Sequence, residues 1–448
     1  MTARIPIEDH ETLKLTAWEL KNLHLPPVTT VTLYEGTPPV AFLRRRITSI
    51  LEKNPWLTSR IVKQNTTDGV VALAYSKSFA VDSVLEQHFS VYESEDVGFS
   101  LGMPYEELVN CLRPIQCARS KPATDTNEAL FKVAVIPIEV ESKDGVQSKP
   151  LQQYISLPGF ALMVSMNHTL GDGHTYYSLY NMLNVNSEVK ALDPVRVPGF
   201  EAAKTDVIGR KETAMFSSAG VAFGILTTYL YTKLGRRRPR NICINEVDSR
   251  WLENEKANAT HQAQVPFVSS NDALSSWFFR SMQSDTNIMV VNFRSRQPSI
   301  LDLSESHVGN YEASLPYFPG DVETPALIRS SIRAVDGSFR TTRAGSPETK
   351  IPGFWKLLRN KTSIITNWAT FYSDVNLHDD ERAGGERTIK PKLHFPIMES
   401  DGIITSVWNN AIVFRPRAGQ LGLLLITRLL DNSKEETEPE GPLGQRIV

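Results

Sequence analysis

Met166-Asn167-His168-Thr169-Leu170-Gly171-Asp172-Gly173-His174 gathers two imidazoles, a carboxylate and two glycines into one short polar stretch. A histidine with an ordinary pKa near ~6.5 can take a proton from a hydroxyl or amine at neutral pH. Glycine backbone beside it lets a substrate come close. Nine histidines, each with a ~6% chance of Asp four residues on and a ~7% chance of Gly after it, yield only a few hundredths of an accidental match. His168 is the one that has it. On spacing alone a plainer reading stays open, with His168 a satisfied core histidine and Asp172 a helix N-cap accepting a backbone N–H. His168, Asp172 and His174 are also metal-ligating types, but no further ligands cluster beside them, and no metal is expected.

The elements around the stretch must place it. Residues 160–166 are apolar and partly β-branched, which predicts a buried strand. Tyr176, Leu179, Tyr180 and Leu183 recur at i, i+3, i+4 and i+7, one face of a helix, with Gly171 and Gly173 permitting a sharp turn between. His168 therefore belongs at the mouth of a strand. Upstream, residues 28–34 read as a strand and 39–53 as a helix with Leu43, Ile47, Ile50 and Leu51 inward, ended at Asn54-Pro55. Further strands are expected over 59–62, 70–75 and 130–140, and a charged hairpin or loop over 139–149. The second half repeats the mixture, with strands near 242–247, 288–293 and 364–368, a helix over 273–282 and apolar runs at 411–414 and 421–430. Residues 186–212 are polar and contain proline, as a linker would.

At 448 residues and 41% hydrophobic, the chain can fill two ordinary lobes. A net charge of -2 gives no general attraction to nucleic acid. Cys111, Cys117 and Cys243 form no Cys-x-x-Cys pair, which suits a reducing compartment. Glu8, Asp9, His10 and Glu11 argue against a secretory signal, so a cytoplasmic location is expected. From Thr213 to Thr232 no residue is charged, and Lys233, Arg236, Arg237, Arg238 and Arg240 follow. Twenty helical residues reach about 30 Å, although six of these are Ser or Thr. A membrane span, peripheral contact with an endomembrane and a buried crossover helix all stay open. After Asp431 the chain is acidic with Pro and Gly, which predicts a disordered tail over 431–448.

Asn167 to Gly173 resembles the His-x-x-x-Asp-Gly signature of the acyltransferase superfamily that includes the BAHD acyltransferases, peptide-synthetase condensation domains and chloramphenicol acetyltransferase. Ser269-Ser270-Asn271-Asp272-Ala273-Leu274 with Trp277 is similar to the segment opening the second lobe's first helix. Asn292-Phe293-Arg294-Ser295-Arg296, Gly309-Asn310 and Thr366-Asn367-Trp368 resemble further landmarks, in order, across residues 5–430. The resemblance implies an α/β fold of two chloramphenicol-acetyltransferase-like lobes, each a mixed sheet with flanking helices, and an active site in the channel between them. It implies lobes over 1–185 and 241–430, with a crossover over 186–240. It further implies a monomer that takes an acyl-CoA as co-substrate, holds no permanent cofactor and acylates a hydroxyl or amine of a small, in part lipophilic, acceptor.

Under the resemblance His168 is the general base, Asp172 a structural residue paired with Arg294, and Gly173, Thr366, Trp368 and Asn310 the oxyanion or substrate contacts. Ser269 and Ser270 fall on the acyl-CoA side. Two features depart from the pattern. Only Asp374 survives of the Asp-Phe-Gly-Trp-Gly signature expected after Trp368, and Asn167 stands where condensation domains have a histidine. A condensation-like scaffold or non-catalytic binding module that engages a carrier protein is the competing reading. No Gly-x-Ser-x-Gly elbow, Walker A loop or Gly-x-Gly-x-x-Gly occurs.

Overall fold

The strand that leads to His168 runs over Gly159–Met166 and is buried at every position. Its near-continuous apolar character, interrupted by Ser165, follows from its place inside a five-stranded sheet, ordered Pro391–Ile397, Val28–Glu35, Gly159–Met166, Phe131–Ile138, Phe89–Val91. It is antiparallel to both neighbours, and Met166 faces Val28 on one side and Phe131 on the other. A three-stranded sheet of His10–Lys14, Val71–Ser76 and Arg60–Lys63 lies in the same part of the chain.

The computed structural model describes residues 10–64, 70–139, 150–216, 218–234, 240–263, 265–294, 301, 303–332, 361–378, 388–399, 402–427 and 441–448. The chain forms two units. The first comprises Met1–Pro198, Ser304–Tyr311 and Phe371–Met398, and the second Gly199–Leu303, Glu312–Thr370 and Glu399–Val448. Two late segments thus belong to the first unit, an exchange that division by chain order does not anticipate.

Pro391–Ile397 is the late strand that closes the first sheet, antiparallel to Val28–Glu35. His394 fastens it there. Its Nδ1 lies 2.8 Å from the Thr32 hydroxyl and its Nε2 3.0 Å from the Tyr177 hydroxyl, and Tyr372 stacks on the ring at 4.3 Å. Thr30 meets the Tyr176 hydroxyl at 2.6 Å and Thr32 that of Tyr180 at 2.7 Å. The helix Gly173–Asn181 is therefore held to the sheet by hydroxyl pairs as well as apolar contact. Buried polar groups of this kind require partners.

The second unit is built on a seven-stranded sheet, ordered Glu312–Tyr317, Thr286–Asn292, Thr362–Asn367, Asn409–Arg417, Gln420–Thr427, Asn241–Val247, Leu443–Arg446. Thr362–Asn367 is parallel to both its neighbours and the other pairs are antiparallel. The helix Ser270–Met282 buries Leu274, Phe278, Phe279 and Met282.

Three expectations change. The end of the expected tail is ordered: Leu443–Arg446 pairs with Asn241–Val247, and Ile447 and Val448 are buried, because the sheet edge offers unpaired backbone groups and an apolar seat. The uncharged stretch 213–232 is two helices, Arg210–Phe216 and Ala219–Lys233, parted near Ser218. None of the described helices is long and apolar enough to cross a membrane. Residues 186–198 are not a free linker, since Leu192 is buried and Asp193 bridges to His307. The expected hairpin at 140–149 and residues 428–440 lie outside the described residues.

Two buried histidines make the first unit acid-sensitive. Burial lowers His88 from its ordinary 6.5 to about 4, against the raising effect of its bond to the Phe131 carbonyl, and lowers His394 to about 3. Both folded values lie below the unfolded one, so the unfolded chain binds protons first as the pH falls. Stability is full above about 6.5 and declines from there toward 4 and 3. Each histidine contributes a slope of about 1.4 kcal/mol per pH unit within that window. Urea unfolding between pH ~7 and ~5 will show the decline. His88→Asn, whose amide can still donate to Phe131, will flatten it, and an unaltered slope in that variant would contradict this origin.

Candidate active site

His168 sits two residues beyond the end of the strand Gly159–Met166, in the turn that reverses the chain into the helix Gly173–Asn181. Asn167 shapes the first half of that turn. Its backbone N–H donates to the Leu130 carbonyl at 2.7 Å, and its side-chain oxygen accepts from the Thr169 N–H at 2.9 Å, the Thr169 hydroxyl at 2.5 Å and the Ser120 hydroxyl at 2.7 Å. Its amide N–H donates to the Ala118 carbonyl at 2.6 Å. A second histidine could not fill this position with the same bonds.

Asp172 shapes the second half. One carboxylate oxygen accepts from the Thr175 N–H at 3.0 Å, capping the helix, and the other accepts from the Tyr311 N–H at 3.0 Å. The N-cap is therefore real. It also ties the turn to the Val308-Gly309-Asn310-Tyr311 segment, where the Gly309 carbonyl accepts from the Asp172 N–H at 3.2 Å and from the Thr175 hydroxyl at 3.2 Å. Two glycines are required by this approach. A side chain at Gly171 would strike Thr175 at 2.5 Å, and Gly309 has φ +133 with Arg196 3.0 Å from where a Cβ would stand.

A buried ion pair lies behind the turn. Glu19, on the short helix Ala17–Lys21, is wholly buried, and its oxygens lie 3.0 and 3.2 Å from Arg196 Nε. The Arg196 guanidinium also donates to the carbonyls of Thr169 at 2.8 Å, Leu170 at 3.4 Å, Pro194 at 3.0 Å and Val308 at 3.2 Å. Asn310 joins them, donating from its side-chain nitrogen to Glu19 at 2.9 Å and to the His168 carbonyl at 3.0 Å. Both protons of the Asn310 side-chain amide are thus engaged, one on Glu19 and one on the backbone of His168.

The His168 ring is only partly exposed and lies 6.1 Å from the Trp18 ring. Burial lowers its pKa below the ordinary 6.5, against raising effects from its own backbone carbonyl, Asp172, Asn310 and Glu19. Burial thus favours the neutral imidazole, the form a general base needs. His174 has a separate engagement. It is buried, its Nε2 pairs with the Glu305 carboxylate, and Phe371 meets its ring edge-on at 5.4 Å. Among the described residues no group of three or more His, Cys, Asp or Glu is placed to hold a metal ion.

The remaining nominated residues belong to the second unit. Arg294 follows the strand Thr286–Asn292, is buried, and donates to the Asn292 side chain at 3.0 Å. Thr366 lies near the end of the parallel strand Thr362–Asn367, and Trp368, just beyond it, is buried with its backbone N–H donating to the Val413 carbonyl at 2.8 Å. Between them the Asn367 amide donates to Asn271 at 3.1 Å. Ser269 caps the helix Ser270–Met282 in a reciprocal arrangement with Asp272, itself paired with Arg329. Its hydroxyl is engaged in the fold. Trp18, Glu19 and Arg196 escaped the sequence reading. Thr16-x-x-Glu19 is a capping box legible in sequence, but nothing local announces that the same glutamate meets Arg196.

No protein-family model matches the chain, and no curated protein matches it in sequence. Solved structures do match in fold. TRI101 of F. graminearum, complexed with coenzyme A and T-2 mycotoxin, is 14% identical, with 93% of this chain and 95% of that one covered at a TM-score of 0.54. TRI101 of F. sporotrichioides, with coenzyme A and T-2, is 12% identical with 93% and 95% covered at 0.53. Polyketide synthase associated protein 5 of Mycobacterium tuberculosis is 13% identical with 94% of each chain covered at 0.52. The fold expected from the sequence, α/β with two chloramphenicol-acetyltransferase-like lobes, is the fold these proteins share with this chain.

The geometry at Asp172 sets a specific outcome. Asp172→Asn places an amide N–H against either the Thr175 or the Tyr311 N–H, so a buried donor loses its acceptor, at a cost of about 1–3 kcal/mol. Urea unfolding will find Asp172→Asn destabilised despite its near-identical shape. Wild-type stability would mean that the carboxylate does not hold the turn.

Proposed function

We propose that the chain is an acyl-CoA-dependent acyltransferase that modifies a hydroxyl or amine of a small, in part lipophilic, acceptor, with His168 as general base. The observation that carries this reading is an imidazole at a strand mouth, on a turn shaped by the bonds of Asn167 and Asp172, with its pKa lowered by burial. The shared fold supports it, since TRI101 structures hold coenzyme A together with T-2 mycotoxin or deoxynivalenol.

In this reading His168 takes the acceptor's proton as the acceptor oxygen or nitrogen bonds to the thioester carbon. The tetrahedral intermediate then expels the thiolate, which takes the proton back from the imidazolium. No covalent enzyme intermediate is required. Gly173 through its backbone N–H, Thr366 and Trp368 are the proposed oxyanion contacts, worth roughly 10²-fold or more in rate for one well-placed donor. Arg294 would be a cationic partner for Asp172, in addition to the hydrogen bonds its carboxylate accepts from Thr175 and Tyr311. Acyl-CoA would be a co-substrate and not a resident cofactor, with Ser269 and Ser270 on its side of the site. The competing scaffold reading rests on the lost second signature and on Asn167. The second point loses force because Asn167 has a complete set of bonds in the turn.

Mass spectrometry of mixtures of acyl-CoAs with a panel of alcohols and amines tests the activity. Transfer is expected, with His168→Ala losing about 10²-fold or more while its unfolding midpoint is kept. Unchanged turnover in that variant, or carrier-protein binding without release of CoA, would overturn the reading.

Peripheral membrane contact belongs to the same proposal. Phe223, Leu226, Leu230 and Leu234 are exposed on and just beyond the helix Ala219–Lys233, and a basic run follows in sequence. Apolar and basic residues together suit shallow contact with anionic lipid. The protein is expected to sediment with phosphatidylserine-containing vesicles more than with phosphatidylcholine vesicles, and Leu226→Ser/Leu230→Ser to release it. Failure of the parent protein to sediment would remove the membrane from the proposal.

A further inference from the structure

We propose that the buried Glu19–Arg196 pair, with Asn310, is the positioning unit of His168, fixing the turn from behind and setting the charge that the imidazole meets. This rests on His168 being the base, and it concerns residues that touch the turn without touching the reacting atoms.

The chemistry of the cluster points to this role. An isolated ion pair deep in a fold often contributes little to stability compared with apolar residues of the same size. A pair whose purpose is stability would need few other bonds. Here the Arg196 guanidinium instead reaches the carbonyls of Thr169 and Leu170, immediately after His168, and that of Val308, beside Gly309-Asn310. Glu19 neutralises this cation and passes its influence on through Asn310, whose nitrogen lies 2.9 Å from Glu19 and 3.0 Å from the His168 carbonyl. Apart from the Pro194 carbonyl in its own loop, the backbone acceptors that the guanidinium holds belong to the His168 turn or to the Val308-Gly309-Asn310-Tyr311 segment packed on it. Guanidinium geometry is suited to this, with five N–H donors in a rigid fork. Trp18, the neighbour of Glu19 on the same short helix, places its ring beside the imidazole. The Ala17–Lys21 helix is therefore part of the site on two counts.

Charged groups placed on the His168 turn among the described residues include Asp172 at the helix cap, Glu19 and Arg196. Glu19 acts to raise the His168 pKa against burial. Removing its charge while Arg196 remains must push the imidazole further toward the neutral form.

Three variants separate positioning from folding: Glu19→Gln, Arg196→Met and the double variant. Positioning predicts that Glu19→Gln lowers turnover by about tenfold or more, with KM for acyl-CoA and acceptor kept within about twofold, since a small misplacement of a reacting group costs far more in rate than in binding. The double variant removes the stranded charge, so its unfolding midpoint should recover toward that of the parent while its turnover stays low. Recovery of turnover together with stability would overturn the proposal and leave the pair a folding element.

A second readout does not depend on the activity. In protein labelled with [ε1-13C]histidine, the His168 signal, assigned by its loss in His168→Ala, should titrate at lower pH in Glu19→Gln than in the parent. An unchanged titration would overturn the clamp even if acyl transfer is found. If the parent transfers no acyl group, the functional reading fails and the titration alone decides the clamp.

Discussion

The structure around His168 depends on one requirement, that a tight chain reversal leaves backbone groups which burial forbids to stay unpaired. Four pieces of chain far apart in sequence meet it together. Residues 16–19 supply a carboxylate, 194–197 a guanidinium, 308–311 a glycine, an amide side chain and a backbone donor, and 167–172 the turn itself. Remove one and the others lose bonds at once. The backbone that carries a single imidazole is thereby fixed by groups from distant parts of the chain.

Asp172 shows why a bland reading and a functional reading need not compete. Its carboxylate is a plain helix cap toward Thr175 and, with its other oxygen, a tie to Tyr311. Asn167 does similar work at the start of the turn. Of the polar residues in the short stretch, Asn167, Thr169 and Asp172 are consumed in shaping the turn, and type alone could not have told them from His168.

What was legible in the sequence was local. The apolar run before His168, the helical period after it and the glycines between them each predict a backbone shape from neighbouring residues, and the strand Gly159–Met166 and helix Gly173–Asn181 follow. The order of landmarks across the chain also indicated the architecture, although the TRI101 structures described above are only 12–14% identical. Contacts between distant residues were illegible. Glu19 and Arg196 are 177 positions apart, and an acidic residue in a short helix is ordinary. The ordered end of the chain was missed because acidic composition outweighed a short strand whose stability comes from the sheet edge that receives it. The uncharged stretch before the arginines looked like one helix because lack of charge is visible in sequence and a break near Ser218 is not.

The strand Pro391–Ile397 gives the first unit a late closing piece, and this bears on how the protein is made. Its partner Val28–Glu35 leaves the ribosome early, yet the two cannot pair until residue 397 of 448 has been synthesised. Until then Val28–Glu35 has an open edge, and Thr32 and Tyr177 wait for His394. Contacts of such sequence separation slow folding and prolong the exposure of unpaired edges. The nascent chain therefore carries a nearly finished sheet with an unfilled position until that strand emerges, a stage at which a chaperone or a wrong strand could occupy the place kept for its own.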